Sequence, residues 1–298
     1  MKKTFLLSIF LIVLSQLMAG INVTSSKYLV TEMPLIFLLF ARFVVGSVTL
    51  FGFMLSKGKH TQQLSEVKAL SAKEWIMLIA QACCAGIFFN LLLLWGVQYT
   101  TASMAGIITS ALPAMVTVLA LFLLRQRLTR FKSLCVGFAT IGLLIINISS
   151  FKMDAAPNAL FGSFIILLAL VPEALYYVLS KIMKIKLSSF TNAFIMNLIN
   201  GLLMIPLLFF IDLQQVANIS AISWLILVTS GVASGLFYVF WMSGCKDIDG
   251  STAGLMTALM PIFTLLLSWI FLNQGIGSIQ AFGMIFILIS IFFSTRKV

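Results

Sequence analysis

Charged side chains are scarce in this chain. Asp, Glu, Lys and Arg make up 9% of its 298 residues, against about 25% in soluble domains. Hydrophobic residues make up 61%, and the mean hydropathy is +1.13. This balance excludes ordinary soluble, disordered and fibrous proteins, because their surfaces need more charge to stay in water. The composition predicts a protein embedded in a lipid bilayer.

Histidine and cysteine are also rare, with one His and four Cys. Cys83 and Cys84 are neighbours, whereas Cys135 and Cys245 lie far from them along the chain. Such a set supplies neither a disulfide framework nor a zinc cluster. The sequence also lacks a glycine-rich phosphate loop, paired catalytic carboxylates and a Gly-x-Ser-x-Gly elbow. We therefore predict no enzyme activity, no metal, no cofactor and no direct use of ATP.

Long apolar runs alternate with short polar segments. A spanning helix needs about 20 mostly apolar residues, and ten such segments lie near 4–25, 34–55, 75–95, 103–124, 131–149, 158–180, 190–211, 222–243, 251–272 and 277–294. Together they use about two thirds of the chain, which leaves no room for a soluble domain. The sequence predicts an all-α membrane protein with ten transmembrane helices.

The net charge of +11 is unevenly distributed. Cytoplasmic loops retain Lys and Arg, and with the amino terminus inside, sixteen of the nineteen basic residues fall on the cytoplasmic side: Lys2, Lys3, Lys57, Lys59, Lys68, Lys73, Arg125, Arg127, Arg130, Lys132, Lys181, Lys184, Lys186, Lys246, Arg296 and Lys297. Lys27 and Lys152 fall outside, and Arg42 lies within the second span. Both termini are therefore predicted to be cytoplasmic. Because topology explains the charge, no nucleic-acid partner is expected.

The amino terminus begins with two lysines and an apolar run, as a signal peptide does. The run continues through Val23, which is longer than the hydrophobic region of a usual signal peptide. We expect the first span to be retained.

The chain contains an internal repeat. A shift of 148 residues pairs small and polar residues as well as Leu: Gly96 with Gly244, Ser103 with Ser251, Gly106 with Gly254, Thr109 with Thr257, Pro113 with Pro261 and Gln126 with Gln274. Earlier in each half, a shift of 154 pairs Ser26 with Ser180 and Lys27 with Lys181. We predict two five-helix domains, 1–150 and 151–298. Since five is odd, the second enters the membrane from the opposite side, giving inverted repeats around a central cavity, an arrangement typical of secondary transporters.

Several segments resemble EamA-type members of the drug/metabolite transporter superfamily. The similar segments are 20–27 for the first helix, Pro34 with 41–43 for the second, 99–113 for the fourth and 250–261 for the ninth. The family commonly has Glu near the ends of the fourth and ninth helices, where this chain has Gln126 and Gln274. The resemblance implies a secondary transporter in a bacterial-type inner membrane that exports small amphipathic metabolites, amino acids or drugs.

Two other functions stay open. One is a membrane-embedded binding or accessory protein without net transport. The other is a facilitator for nucleotide-sugars or lipid precursors, which would need more buried positive charge than Arg42 alone provides.

Charged residues within spans are candidates for substrate binding, because each needs a partner or water in the membrane. Glu173, beside Pro172, is the only carboxylate well inside an apolar segment. It is suited to binding a cationic substrate or a proton, which would couple transport to protons; the alternative is a link to the inner interface or to a Lys. Arg42 is suited to holding a substrate carboxylate; the alternative is pairing with helix carbonyls or with Glu173.

Asn22 and Tyr176 occupy equivalent positions in the 154-residue repeat. We predict that they face each other across the cavity and orient a substrate. The alternative for Asn22 is a hydrogen bond between helices. We interpret Asn90, Asn197 and Asn200 as packing contacts.

Aromatic residues and prolines complete the candidate site. Trp95 and Tyr99 near the end of the third span, and Tyr238 and Trp241 near the end of the eighth, form either an interfacial belt or an aromatic vestibule that binds amphipathic substrates. Pro113 and Pro261 remove one helix hydrogen bond each. Their equivalent positions predict a paired bend that gates the cavity.

Overall fold

The computed structural model describes residues 2–56, 65–99, 105, 108–125, 129–148, 158–182, 187–211, 216, 219–273 and 275–296. Within those ranges every regular element is helical, so the predicted all-α class is confirmed. Gln126, Gln274 and Lys152 lie outside the described residues, as do Ser103 and Gly106 of the predicted fourth span.

Ten apolar helices follow one another in the described part of the chain. They are α1 (Lys2–Leu29), α2 (Leu35–Ser56), α3 (Ala72–Ala82, a π-helical turn at Cys83–Phe88, then Phe89–Val97), α4 (Leu112–Leu123), α5 (Arg130–Ile148), α6 (Ala159–Ile182), α7 (Ser189–Leu208), α8 (Ala221–Gly244), α9 (Gly250–Met256 and Leu259–Leu272) and α10 (Ser278–Arg296). In the part of the chain that the structure describes, nine are long and apolar enough to cross a membrane, and α4 is a shorter apolar helix. The predicted spans are confirmed.

Short polar residues determine where several helices begin. Ser71 caps α3: its hydroxyl accepts from the Glu74 amide, and the Glu74 carboxylate accepts from the Ser71 amide at 2.8 Å. Ser188 and Ser220 cap α7 and α8 with their hydroxyls. These bonds satisfy amide groups that have no partner within the helix, so each helix starts at the polar residue between two apolar runs.

Contacts between helices show which helix ends lie together. They join Ser8 to Asp247 (3.2 Å), Lys132 to Asp249 (2.8 Å), Lys181 to the carbonyl oxygen of Cys245 (2.8 Å) and Ser290 to the carbonyl oxygen of Cys135. The starts of α1 and α5 and the ends of α6, α8 and α10 therefore share one end of the bundle, here called the basal end.

The two halves make the same helix contact at opposite ends of the bundle. Gly244, at the end of α8, lies against α1, so that a Cβ there would be 2.7 Å from Cγ1 of Ile12. Gly96, at the end of α3, lies against α6, and a Cβ there would be 2.6 Å from Cγ1 of Ile166. The glycines are 148 residues apart and the isoleucines 154, as in the sequence repeat. Gly244 is at the basal end and Gly96 at the other, as inverted repeats require, so the predicted inverted five-helix repeats are confirmed.

The prolines mark two equivalent helix interruptions. α9 breaks at 257–258, and α4 begins after a turn at 110–111. Pro261 and Pro113 follow these turns closely. A proline lacks the amide hydrogen, and its ring crowds the carbonyl four residues earlier. That carbonyl belongs to residue 257 in the interruption of α9 and to residue 109, directly before the turn, at the start of α4.

The interior between the halves is filled by side chains in this conformation. Trp241, Tyr176 and Phe43 are among the largest fully buried side chains. A cavity of about 370 Å³ between α4, α5 and α6 and one of about 200 Å³ between α2 and α7 are open grooves. Within the described residues, aromatic and polar side chains thus occupy the interior where the central cavity is predicted.

Candidate functional site

Five aromatic side chains from α6 and α8 pack together inside the bundle. This aromatic cluster consists of Tyr176, Tyr177, Phe237, Tyr238 and Trp241. The ring centroids of Tyr177 and Trp241 are 4.5 Å apart, and those of Tyr176 and Tyr238 are 5.6 Å apart. Trp241 also donates from Nε1 to the Ser180 hydroxyl at 2.8 Å. Three residues predicted for the site, Tyr176, Tyr238 and Trp241, thus lie in one cluster.

Glu173 lies on α6, one turn before Tyr177, whose hydroxyl donates to its carboxylate. The other carboxylate oxygen, Oε2, is buried and has no hydrogen-bond partner among the described residues. The Tyr176 hydroxyl is also buried and also lacks a hydrogen-bond partner among the described residues. Leaving a buried polar group unsatisfied costs about 1–3 kcal/mol, so these two atoms mark a place where a bound solute or water would supply the missing partner.

Arg42 lies on α2 with its guanidinium carbon 5.4 Å from the ring centroid of Phe43. Its Nε atom is buried and unpartnered within the described part of the chain. Tyr238 is within electrostatic range of both Arg42 and Glu173. Among the described residues, the ion pair of Lys132 and Asp249 lies at the basal end, and Arg42 and Glu173 form no ion pair with each other. A cation and a carboxylate thus lie near the same tyrosine, each with an atom free to bind.

Asn22 has a partner on another helix. Its Oδ1 accepts from the Ser230 hydroxyl at 2.9 Å, which links α1 to α8. Tyr176, its equivalent in the repeat, packs against Phe237 and Tyr238 in the aromatic cluster. The structure therefore gives these two predicted residues different immediate neighbours.

The contribution of the Asn22–Ser230 hydrogen bond to stability can be measured separately from the predicted role of Asn22 in substrate binding. We expect Asn22→Ala and Ser230→Ala each to lower the free energy of unfolding by about 0.6 kcal/mol, the usual value for hydrogen bonds between membrane helices. Because only Asn22 is predicted to contact solute, Asn22→Ala should weaken the apparent affinity for solute more than Ser230→Ala does. Thermal unfolding and concentration-dependent transport measure the two effects. Equal losses of affinity would assign Asn22 to helix packing alone.

Trp95 and Tyr99 lie at the end of α3, away from the basal end. Both pack edge-on against Phe161 at the start of α6, with centroid distances of 6.0 and 5.3 Å. Trp95 is 47% exposed, as is typical of a residue in the aromatic belt at a membrane interface. These two residues are not members of the aromatic cluster that contains Tyr238 and Trp241.

Asn200 occupies a position that the sequence did not single out for function. It lies on α7 directly against Gly86 in the π-helical turn of α3. Both polar atoms of its amide are buried and lack partners among the described residues. Turns of this kind often occur at functional sites. A π-turn leaves no signature in an apolar run, so sequence patterns could not reveal this contact.

The comparisons with known proteins agree with this architecture. The model of the EamA-like transporter family matches residues 6–148 and again residues 160–296. The "Uncharacterized transporter YetK" of Bacillus subtilis is 26% identical over 283 residues, which cover 93% of this chain and 83% of that protein. The S-adenosylmethionine uptake transporter of Rickettsia prowazekii is 23% identical over 253 residues, covering 84% of this chain and 79% of that protein.

A solved crystal structure has the same fold. It superposes with a TM-score of 0.75 and covers 99% of this chain and 97% of its own, at 16% identity. With both halves matched by the family model and apolar helices along the whole described chain, this protein is a multi-pass membrane transporter that belongs to the EamA-like transporter family.

Proposed function

We propose that this chain is a secondary active transporter that exports a small amphipathic metabolite, amino acid or drug by alternating access. The main support is the inverted contact at Gly96 and Gly244, which builds one helix interface at both ends of the bundle. Two halves related in this way can exchange conformations, so that a central site opens to one side of the membrane and then to the other.

The binding site in this proposal is the aromatic cluster with Glu173 and Arg42. The rings offer apolar surface to an amphipathic solute. The Arg42 guanidinium is suited to a solute carboxylate, and the free oxygen of Glu173 is suited to an ammonium group or to a proton. A zwitterion such as an amino acid uses both charges, and proton coupling through Glu173 belongs to the same proposal.

The proposed location is a bacterial-type inner membrane with both termini in the cytoplasm. Sixteen of the nineteen basic residues support this orientation, and it makes the basal end the cytoplasmic end. Reporter fusions at each terminus, one active only in the cytoplasm and one only outside, test the orientation. Activity of the external reporter at either terminus would overturn it.

Uptake is the second candidate for the direction of transport. The Rickettsia prowazekii relative is named an S-adenosylmethionine uptake transporter, which favours import of an amphipathic amino-acid derivative. Cells that express the chain should retain less of an exported solute than empty-vector cells, or accumulate more of an imported one. The solutes to be tested in these cells are amino acids, drugs and S-adenosylmethionine.

Exchange of solute across a membrane distinguishes a transporter from a binding protein. Purified protein in liposomes should catalyse counterflow, so that unlabelled solute inside accelerates entry of the labelled solute. Saturable binding without counterflow would favour the accessory-protein alternative and remove the transport proposal.

A further inference from the structure

The connector between α8 and α9, residues 245–249, is held by three different helices at the basal end. Ser8 of α1 bonds Asp247, Lys181 of α6 bonds the carbonyl oxygen of Cys245, and Lys132 of α5 pairs with Asp249, at 3.2, 2.8 and 2.8 Å. The connector therefore closes the basal end by joining α1, α5 and α6 to the junction of α8 and α9.

Asp249 is the central residue of this connector. It caps the first segment of α9, accepting from the Thr252 amide at 3.0 Å, from the Thr252 hydroxyl at 2.7 Å and from the Ser251 hydroxyl. Burial alone would raise the pKa of Asp249, but the hydrogen bonds from Lys132, Ser251 and Thr252 outweigh it and hold the pKa well below its usual range. The carboxylate is therefore charged throughout the physiological pH range.

The equivalent region at the opposite end has no charged counterpart of Lys132 or Asp249. By the repeat, the connector corresponds to residues 97–101, and the segment around Lys132 corresponds to residues 273–281. Neither segment contains Asp, Glu, Lys or Arg. An ion pair equivalent to that of Lys132 and Asp249 is therefore chemically impossible there. The two ends of the bundle, alike in helix packing, differ in this electrostatic contact.

We propose that the ion pair between Lys132 and Asp249 is a latch that holds the basal end closed and must break for that end to open. The inference rests on the alternating access proposed above. The opposite end, which lacks the pair, then opens more readily, so the resting protein favours the state closed at the basal end.

The burial of the pair suits a reversible latch. The side chains of Lys132 and Asp249 are 20% and 28% exposed. A fully buried pair would be costly to separate, and a fully exposed one would contribute almost nothing. At intermediate exposure both charges can return to water when the connector moves, so the contact biases the cycle without stopping it.

Cys245, in the same connector and 3% exposed, reports opening of the basal end. The other three cysteines are replaced with Ala, and the rate of maleimide labelling is measured on the full chain in lipid nanodiscs. Lys132→Gln and Asp249→Asn should each raise that rate about threefold to tenfold, as expected for a part-exposed pair. Asn retains the helix-capping function of Asp, so both variants remove the pair but leave α9 capped.

Two controls isolate the pair itself. Lys246→Gln removes a positive charge from an exposed position of the same connector, and Lys132→Arg keeps the charge; both should label at the parent rate. Ser223→Cys places a second reporter at the fully buried start of α8, at the other end of the bundle. Its labelling should not rise when Lys132→Gln is added.

Two outcomes would overturn the latch: equal labelling rates for Lys132→Gln and Lys246→Gln, or a rise at both reporters, which indicates general loosening. Counterflow on the same variants keeps the two proposals separate. A parent protein that fails to transport, but whose Cys245 responds as expected, contradicts the transport proposal and leaves the latch as a closing contact. Normal counterflow with an unresponsive Cys245 contradicts the latch alone.

Discussion

Glu173→Gln should lower transport by about 10- to 100-fold while the protein stays folded. The substitution keeps the shape of the side chain but removes its ability to carry a negative charge or to take up a proton at a buried position. Hydrogen bonds to charged groups contribute about 1.5–3 kcal/mol, and each 1.4 kcal/mol corresponds to a factor of ten. Counterflow in liposomes measures the loss, and thermal unfolding establishes that the variant is folded.

The matched control is Glu32→Gln, which makes the same change at a carboxylate bonded to Ser223, far from the aromatic cluster. It should leave transport close to the parent rate. If Glu173→Gln transported normally and moved no fewer protons, neither solute binding nor proton coupling could be assigned to Glu173.

Tyr176→Phe tests solute binding by Tyr176 with a result that a folding defect alone cannot produce. The Tyr176 hydroxyl is buried without a partner among the described residues, so its removal should leave thermal stability unchanged or raise it. If the hydroxyl binds solute, the affinity falls in the same variant. A loss of stability with unchanged affinity would instead identify an unseen structural partner.

Gly96→Ala and Gly244→Ala should each destabilise the protein by about 1–3 kcal/mol, the usual cost of overpacking. The added methyl group at either position lies within 3 Å of a carbonyl oxygen of the facing helix as well as of an isoleucine. The helices must separate to accept it. Because the two contacts are equivalent, the two losses should be similar, and thermal unfolding in detergent measures them.

Gly52→Ala and Gly137→Ala are the matched controls. Within the described part of the chain, nothing lies within 4 Å of a Cβ at either position. Alanine favours a helix over glycine by up to about 1 kcal/mol, so these variants should match or exceed the parent in stability. Losses as large as those at Gly96 and Gly244 would show that glycine content, and not the inverted contact, determines stability.

The number, order and inversion of the helices could be predicted from the sequence. Hydropathy identifies spans because a bilayer imposes a fixed length, and the offsets of 148 and 154 residues are properties of the chain itself. The repeated Pro113 and Pro261 indicated the helix interruptions. The π-turn at Cys83–Phe88 could not be foreseen, because apolar residues suit either kind of turn.

The candidate site was predictable residue by residue but not as an assembly. Glu173, Tyr176, Tyr238 and Trp241 stood out as polar or amphipathic groups in apolar runs, and the structure places them in and beside one cluster. Tyr177 was not predicted, because the 154-residue offset pairs Asn22 with its neighbour Tyr176. The partners Ser230 for Asn22 and Lys132 for Asp249 depend on tertiary packing between distant segments, about which hydropathy carries no information.

The π-turn in α3 has no counterpart in α8, which runs as a continuous α-helix from Ala221 to Gly244. A π-turn takes one more residue than an α-turn, so the part of α3 beyond Phe88 is rotated relative to the part before it. The two halves are therefore imperfect copies. In the proposed alternating-access cycle, the forms open to the two sides of the membrane are then not related by exact two-fold symmetry, and they differ in energy.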